Sequence, residues 1–198
     1  MSPTDELKII HGLPERHRGQ VAEIYYEAFC QKLEPILASQ AHGTVILERS
    51  FDPEFAIVAL RGAQFAGLAG VQHGGGHFLS PQMSTFVREF GWWRGLFRLA
   101  LFVALDSHYD ADELLIDGIV VHPAMRGQGV GTRLLQAACD RAREKGLRSV
   151  RLEVVDTNPR ARRLYERLGF VPIKTQKYRF LRNALGFSAV TAMIKEVL

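Results

Sequence analysis

The chain of 198 residues contains little cysteine and no long uninterrupted run of apolar residues. Its two cysteines, Cys30 and Cys139, lie far apart and form no Cys-x-x-Cys pair, which predicts free thiols in a reducing compartment. The most apolar stretch, residues 86–105, is interrupted by four charged residues and falls short of the ~20 residues needed to cross a bilayer. The first ten residues are too polar for a signal peptide. We therefore expect a cytoplasmic protein with no membrane partner.

Several motifs of nucleotide, metal and hydrolytic enzymes are also missing. No Gly-Lys-Ser/Thr follows a glycine at Walker A spacing, and Thr132 stands where the dinucleotide fingerprint has its third glycine. His73 and His77 flank three glycines, which cannot hold the helix that a metal pair at this spacing needs. The same glycines resemble an oxyanion loop, but the chain has no Gly-x-Ser-x-Gly nucleophile elbow. We expect no metal and a flexible loop at residues 73–77.

The composition is that of a globular protein, with 47% hydrophobic and 23% charged residues, and the length predicts a single domain over residues 1–198. The net charge of +4 is unevenly distributed, because residues 126–167 carry 11 Lys/Arg against 5 Asp/Glu. Such a basic segment can bind nucleic acid or a small ligand with several phosphates, or it can be a solvated helix face. Most of these arginines fit a solvated face, and we expect no nucleic-acid partner.

One stretch, residues 114–146, organises the rest of the chain. Leu114 to Val121 predicts a buried strand that ends at His122-Pro123, and the apolar spacing after Gly129 predicts a helix that ends at Lys145-Gly146. Between them lies a glycine-rich turn, residues 126–131, beginning with an arginine. Free backbone N–H groups and the helix dipole make such a turn a phosphate site. The alternative is a turn that needs glycine for its backbone conformation and binds nothing.

The remaining pattern predicts strands alternating with helices. Predicted helices cover residues 14–33, part of 36–52, and 160–168. Pro35 breaks the first of them, and Asn158 caps the last, with Pro159 at its first position. A loop or short helix is predicted at residues 181–186. Predicted strands cover residues 7–13, 55–60, 65–72, 149–155, 170–178 and 188–197.

Residues 80–110 predict a helical insert, with helices at 86–94 and 96–105. It contains an aromatic cluster of Phe90, Trp92 and Trp93. One hypothesis is a lid that lies beside the far end of the 114–121 strand and shapes an acceptor pocket. The alternative is a packed insert or a homodimer surface.

Two motifs resemble the GCN5-related N-acetyltransferase (GNAT) superfamily. Arg126-x-x-Gly129-x-Gly131, after a strand ending in Val121-x-Pro123, matches its coenzyme A motif, Gln/Arg-x-x-Gly-x-Gly/Ala. The run from Asn158 to Phe170 matches its second signature, Asn-x-x-Ala-x-x-Leu-Tyr-x-x-x-Gly-Phe. The resemblance spans residues 114–172 and implies an α/β (α+β) GNAT fold, with a mixed, mostly antiparallel sheet of about seven strands and flanking helices. The long insert before the central strand departs from the family pattern.

The resemblance implies transfer of an acetyl group from acetyl-CoA to a primary amine of a small molecule, protein or peptide. A non-catalytic acyl-CoA-binding or sensing module is the alternative. The resemblance also implies a coenzyme site, in which the pantetheine pairs with the backbone of the 114–121 strand and the pyrophosphate lies on the amides of the glycine-rich loop. The residues implied are Ile119, Val120, Val121, Arg126, Gly127, Gln128, Gly129, Val130, Gly131, Thr132 and Asn158.

The chemistry requires a base, an acid and an oxyanion donor. At pH 7 only about one amine in 10³ is unprotonated when its pKa is near that of lysine, so a base must take its proton. Resemblance assigns that role to Glu153, five residues before Asn158, and Asp117 is the rival because a carboxylate inside an apolar strand needs a partner or a purpose. Tyr165 is the implied proton donor to the leaving thiolate, with a core tyrosine as the alternative.

Overall fold

The structure, a computed structural model, describes residues 6–103, 110–178 and 186–198. Its sheet has eight strands in the order β1-β2-β3-β5-β6-β8-β7, with β4 paired to β3 as a short hairpin. The strands are β1 Leu7–His11, β2 Ala56–Arg61, β3 Gln64–His73, β4 Gly76–His77, β5 Glu113–Val121, β6 Ser149–Val155, β7 Val171–Lys177 and β8 Ala189–Glu196. Among these strands, β5 and β6 form the one parallel pair. The predicted mixed, mostly antiparallel sheet is therefore confirmed.

The helices cover both faces of the sheet. They are α1 Arg18–Leu37, α2 Gln40–Ser50, α3 Met83–Phe90, α4 Trp92–Val103, α5 Val130–Glu144 and α6 Pro159–Arg167. The first four pack over one core, which includes Tyr25, Phe78 and Phe86. The last two pack over the other, which includes Leu134, Leu152 and Phe170. Because β2 and β3 are buried on both faces, they are apolar along nearly their whole length. None of the described helices has the length and apolar content to span a bilayer.

The central strand β5 carries a β-bulge and loses its partner halfway along. Against β3, Ile116 pairs with Val71 and Gly118 with Gly70, so Asp117 is the extra residue of the bulge. Against β6, pairing begins at Glu113–Ser149 and ends at Ile116–Leu152, although β5 continues for five residues and β6 for three. A bulge bends its strand and ends regular pairing. The two parallel strands therefore form the walls of a cleft that opens beyond Ile116.

The first helix is longer than the sequence predicts. It reaches Leu37 and contains Pro35, although a break at that proline was expected. The interruption lies earlier, at Phe29, whose backbone leaves helical geometry at φ −117° and ψ 16°. Pro35 therefore belongs to a short second segment, where burial of Leu33 and Leu37 outweighs one lost backbone hydrogen bond.

The insert is helical, as predicted, but its two helices meet elsewhere. Gly91, at φ +78°, separates α3 from α4, whereas Gly95 is buried inside α4. A Cβ at Gly95 would lie 2.6 Å from the backbone oxygen of Phe86, so glycine lets the two helices touch. The far end of the insert, residues 104–109, lies outside the described residues, as do residues 179–185 of the predicted 181–186 loop.

The segment 73–77 is a tight hairpin, so the predicted flexible loop was wrong. Gln72 pairs with His77 and His73 with Gly76. Gly74 and Gly75, at φ +60° and +82°, form the two-residue turn that this pairing needs.

Candidate active site

The glycine-rich loop is braced by its own side chains. The Arg126 Nε donates to the Val121 carbonyl at 3.3 Å, and the Gln128 amide donates to the Ala124 carbonyl at 2.9 Å. Arg61, at the end of β2, donates to the Gln128 side-chain oxygen. These bonds tie the loop to the ends of β2 and β5 and engage both the oxygen and the nitrogen of the Gln128 side-chain amide. Of the residues predicted to bind coenzyme, Arg126 to Gly129 are exposed and precede the first turn of α5.

Gly129 caps α5 and leaves the helix end open. Its φ of +81° is left-handed, which a residue with a side chain rarely adopts, and a Cβ there would meet no atom within 4 Å. The N–H groups of Val130, Gly131 and Thr132 belong to the first helical turn, which has no intrahelical acceptors. Together with the positive end of the helix dipole, they can hold an anionic group.

One arginine beside this loop was missed by the sequence reasoning, which assigned most of the basic residues to solvated faces. A Cβ at Gly127 would lie 3.9 Å from the Arg160 guanidinium, so the first turn of α6 brings a second positive charge to the loop. Arg160 lies 33 positions after Gly127. No local sequence signal links residues that far apart, so the contact follows only from the packing of α6.

The cleft-facing edge of β5 beyond Ile116 carries backbone groups that pair with neither β3 nor β6. The His122 N–H bonds the Ala66 carbonyl of β3, and Val120 is opposite Leu68. Because the backbone groups of successive strand residues point to opposite edges, those of Val120 face β3 and those of Ile119 and Val121 face the cleft. The Arg126 bond to the Val121 carbonyl agrees with this direction. Val120 is buried in the core and presents no backbone group to the cleft.

The two predicted carboxylates occupy equivalent positions, at the point where β5 and β6 cease to pair. Asp117 and Glu153 each follow directly after the last paired residues, Ile116 and Leu152, on adjacent parallel strands. Glu153 is exposed and Asp117 is half-buried. The sequence named both residues, but their equivalent positions on neighbouring strands follow from the strand register.

Two further groups surround Asp117 and were also missed. The buried amide of Gln72 donates to Asp117 Oδ1 at 2.5 Å. The hydroxyl of Tyr25 lies beside the bulge, since a Cβ at Gly118 would be 2.7 Å from it. Burial, and after it the negative charge of Asp117, raises the pKa of the Tyr25 phenol well above its usual value. Gln72 is a polar residue at the end of an apolar strand, which is the signal that could have flagged it.

Tyr165 lies on α6, over the core that contains α5. Its ring centroid is 6.1 Å from that of Phe170, and burial raises the pKa of its phenol from 10.0 to about 12. The neighbouring Leu164 reaches the start of α5, because a Cβ at Gly131 would lie 3.3 Å from Leu164 Cδ2 and 4.0 Å from Val121 Cγ2. Tyr165 is therefore one residue from the contact that joins the helix N-terminus to the end of β5.

Asn158 is the N-cap of α6, as predicted, because its Oδ1 accepts from the Ala161 N–H at 3.1 Å. We expect Asn158→Ala to lower the free energy of unfolding by about 1 kcal/mol, since one N–H at the helix start loses its acceptor. Asn158→Asp should retain the cap and most of the stability. Urea denaturation of the two variants checks this, and equal stability of Asn158→Ala and wild type would contradict it.

The helical insert carries exposed aromatic side chains on α4. Trp92 and Trp93 are 59% and 80% exposed, so they face solvent within the described part of the chain, and the lid hypothesis stays a prediction. Phe90 is half-buried under the Arg98 guanidinium, 4.7 Å from it. Nothing in the described part of the chain groups three His, Cys, Asp or Glu residues that could hold a metal.

A comparison with family models identifies the chain. Residues 20–170 match the Acetyltransferase (GNAT) family. The chain belongs to this family. The resemblance noted in the two sequence motifs is thus confirmed, and the match extends well beyond them, over the α1 and insert regions as well as the central unit.

Curated relatives of this GNAT protein match it over about a third of its length. A streptothricin acetyltransferase from Streptomyces lavendulae is 40% identical over 72 residues, or 36% of this chain and 38% of the relative. A thialysine N-epsilon-acetyltransferase from Bos taurus is 36% identical over 63 residues, or 32% of this chain and 37% of the relative. The chain thus matches about two fifths of the length of such relatives.

Solved structures share the fold over the whole chain. An N-acetyltransferase from Staphylococcus aureus Mu50 superposes with a TM-score of 0.68 at 16% identity, over 95% of this chain and all of that one. Ard1 from Thermoplasma volcanium gives 0.62 at 21% identity, covering 97% and 98%. An acetyltransferase from Salmonella typhimurium, solved with its cofactor acetyl-CoA, gives 0.60 at 17% identity, covering 97% and 94%. At these identities the likeness shows the fold alone.

Proposed function

We propose that this GNAT protein is an N-acetyltransferase that transfers an acetyl group from acetyl-CoA directly to a primary amine. The observation that carries the proposal is the arrangement around the cleft between β5 and β6. An open helix N-terminus with two arginines lies at one end of β5, Asp117 lies at the β5 bulge, and Glu153 occupies the equivalent position of β6. Relatives named as acetyltransferases of amine compounds support the same reaction class.

The chain's own groups fit coenzyme A. Its pyrophosphate needs N–H donors and positive charge, which the first turn of α5 and the Arg126 and Arg160 side chains supply. Its pantetheine arm is an extended chain with amide groups, which the cleft-facing N–H and C=O groups of Ile119 can pair like an added strand, leading toward the Val121 N–H. Bound acetyl-CoA supplies a thioester as the acyl donor.

In the proposed reaction the amine nitrogen forms a bond to the acyl carbon as the bond from that carbon to sulfur breaks. Glu153 takes the proton released from the amine, directly or through water, because its carboxylate is exposed at the cleft mouth. Asp117 is the rival base, held by Gln72 and faced by the Tyr25 hydroxyl. Tyr165 donates its phenolic proton to the departing sulfur. The Val121 N–H faces the cleft and stabilises the charge that develops on the acyl oxygen.

The two carboxylates can be separated by paired neutral substitutions. We expect Glu153→Gln to lower turnover by about 10²-fold, the usual contribution of a positioned base, with coenzyme affinity unchanged. Asp117→Asn should lower turnover less, because the amide retains the hydrogen-bonding shape beside Gln72. Steady-state kinetics of both variants and wild type at the same pH measures the two losses. A larger loss in Asp117→Asn would make Asp117 the base.

Arg160 provides a test of the coenzyme site that does not depend on the acceptor. Arg160→Ala should weaken coenzyme A binding roughly 10-fold, because one charge-assisted contact to phosphate is worth about 1.5 kcal/mol or more. Arg162→Ala is the matched control on the same helix, since Arg162 pairs at the surface with Glu166 at 2.9 Å. Titration calorimetry at low salt measures both variants. Equal affinities would remove Arg160 from the site.

The acceptor can be sought by offering amines of different classes. The panel contains a peptide N-terminus, a lysine side chain, a polyamine, an aminoglycoside and a lysine analogue, and mass spectrometry detects the acetylated product. Acetylation of at least one amine, lost in Glu153→Gln or Asp117→Asn, is expected. Tight coenzyme binding with no product from any amine would favour the non-catalytic acyl-CoA-binding alternative.

A further inference from the structure

The outer face of α4 is apolar where a surface helix is normally polar. Its buried side consists of Gly95 and Phe102, with Leu99 and Arg98 at the edges. The exposed residues span about 200° of the helix circumference at 100° per residue. Those residues are Trp92, Trp93, Arg94, Leu96, Phe97, Ala100, Leu101 and Val103. Only one of them, Arg94, is polar. We call this set the α4 ridge.

The ridge is held outward by firm packing on its other side. Phe86 and Phe102 contact edge-on, 5.8 Å apart, inside the core beneath α1 and α2. Arg98 donates to the Ile36 carbonyl of α1 and lies over the Phe90 ring. The exposure of Trp93 and Phe97, 80% and 66%, is therefore built into the docked helix. Contiguous exposed apolar surface of this kind marks an interaction site.

Within the described residues of the insert, the exposed charged side chains of α3 and α4 are those of Arg88 and Arg94, which are positive. The α4 sequence contains Arg94 and Arg98 and no acidic residue, and Arg88 of α3 is 54% exposed. The single acid of α3, Glu89, contacts Arg88 at 3.7 Å and His42 at 3.0 Å. Tryptophan and phenylalanine on one side with arginine at the edge is the composition of helices that lie in the interface of an anionic bilayer.

The shape of the ridge argues against a second copy as its occupant. The ridge is convex, so it offers no groove to an identical ridge, whereas lipid headgroups can yield around it.

We propose that the α4 ridge binds the surface of an anionic phospholipid bilayer. Trp92, Trp93, Leu96 and Phe97 would enter the boundary between headgroups and acyl chains, and Arg94 and Arg88 would contact lipid phosphates. The inference does not depend on the proposed reaction, and it would overturn the expectation of no membrane partner drawn from the apolar stretch being too short to cross one.

The chain contains its own probe for this binding. Its two tryptophans are Trp92 and Trp93, so the tryptophan emission reports on the ridge alone. Vesicles of phosphatidylcholine with phosphatidylglycerol should shift the emission to shorter wavelength and carry the protein down on sedimentation. Vesicles of phosphatidylcholine alone should bind at least about 10-fold more weakly, and salt should weaken binding to the anionic vesicles.

Substitutions complete the test. Phe97→Glu and Arg94→Glu should each reduce binding to anionic vesicles at least about 10-fold, with circular dichroism unchanged. The matched control is Val171→Glu with Ile173→Glu, which changes two exposed apolar residues on the edge strand β7 and should bind like wild type. No emission shift, equal binding to neutral vesicles, or a dimer by light scattering that Phe97→Glu dissociates would each overturn the proposal.

Discussion

Gly129→Glu is expected to abolish coenzyme A binding. The substitution places a carboxylate where the proposed pyrophosphate lies, and like charges brought together cost several kcal/mol, or at least about 100-fold in affinity. The open space around Gly129 means that the new side chain displaces no protein atom, although the φ of +81° adds backbone strain. Titration calorimetry with coenzyme A measures the loss.

Gly129→Asn separates charge from strain. Asparagine tolerates the left-handed conformation better than other residues with side chains and caps helices well, so this variant should fold and retain most of its affinity. A second variant, Gly131→Glu, should also lose binding, although its Cβ must fit 3.3 Å from Leu164. If folded Gly129→Glu bound coenzyme A with wild-type affinity, the site would lie elsewhere in the molecule.

Tyr165→Phe is expected to lower turnover by about 10²-fold or more while coenzyme affinity stays near wild type. The phenyl ring keeps its contacts with Phe170 and the α5 core, so the fold should persist and only the proton donor is removed. The control is Tyr26→Phe, which changes a buried tyrosine that packs against Gly43 of α2. The turnover of this control variant should equal that of wild type. Full activity of Tyr165→Phe would make Tyr165 a core residue only.

The raised pKa of Tyr165 sets the pH range of this effect. Because burial raises the phenol pKa from 10.0 to about 12, the group stays protonated in the folded protein well above neutral pH. The ratio of wild-type to Tyr165→Phe turnover should therefore stay constant from about pH 7 to 10. The same difference in pKa between the unfolded and folded protein makes the free energy of unfolding depend on pH. The stabilisation from the neutral phenol is complete below its unfolded pKa and is lost as pH rises toward 12.

Local patterns predicted the elements that line the site. The glycine turn, the Asn158 cap and the strands on each side of α5 depend on short-range rules, and the structure has them at or within a residue or two of the predicted positions. The prediction failed at Pro35, where burial of neighbouring residues outweighs a local helix-breaking rule, and at residues 73–77, where two left-handed glycines close a hairpin.

What the sequence could not predict was which residues meet across the fold. The bulge at Asp117 and the end of pairing at Ile116 come from strand register, which no single strand encodes. The approach of Arg160 to Gly127 comes from helix packing. The apolar character of α4 was visible in the sequence, but which of its side chains face water depends on how Gly95 and Phe102 dock.

The central claim is that the cleft between β5 and β6 supports acetyl transfer to an amine. It is tested most directly by measuring free thiol released from acetyl-CoA with and without an amine that mass spectrometry shows to be acetylated. The account predicts thiol release that requires the amine, equals the acetylated product, and falls by about 10²-fold in Tyr165→Phe. Thiol release that is independent of any amine, or unaffected by removal of the Tyr165 hydroxyl together with the Glu153 and Asp117 carboxylates, would contradict it.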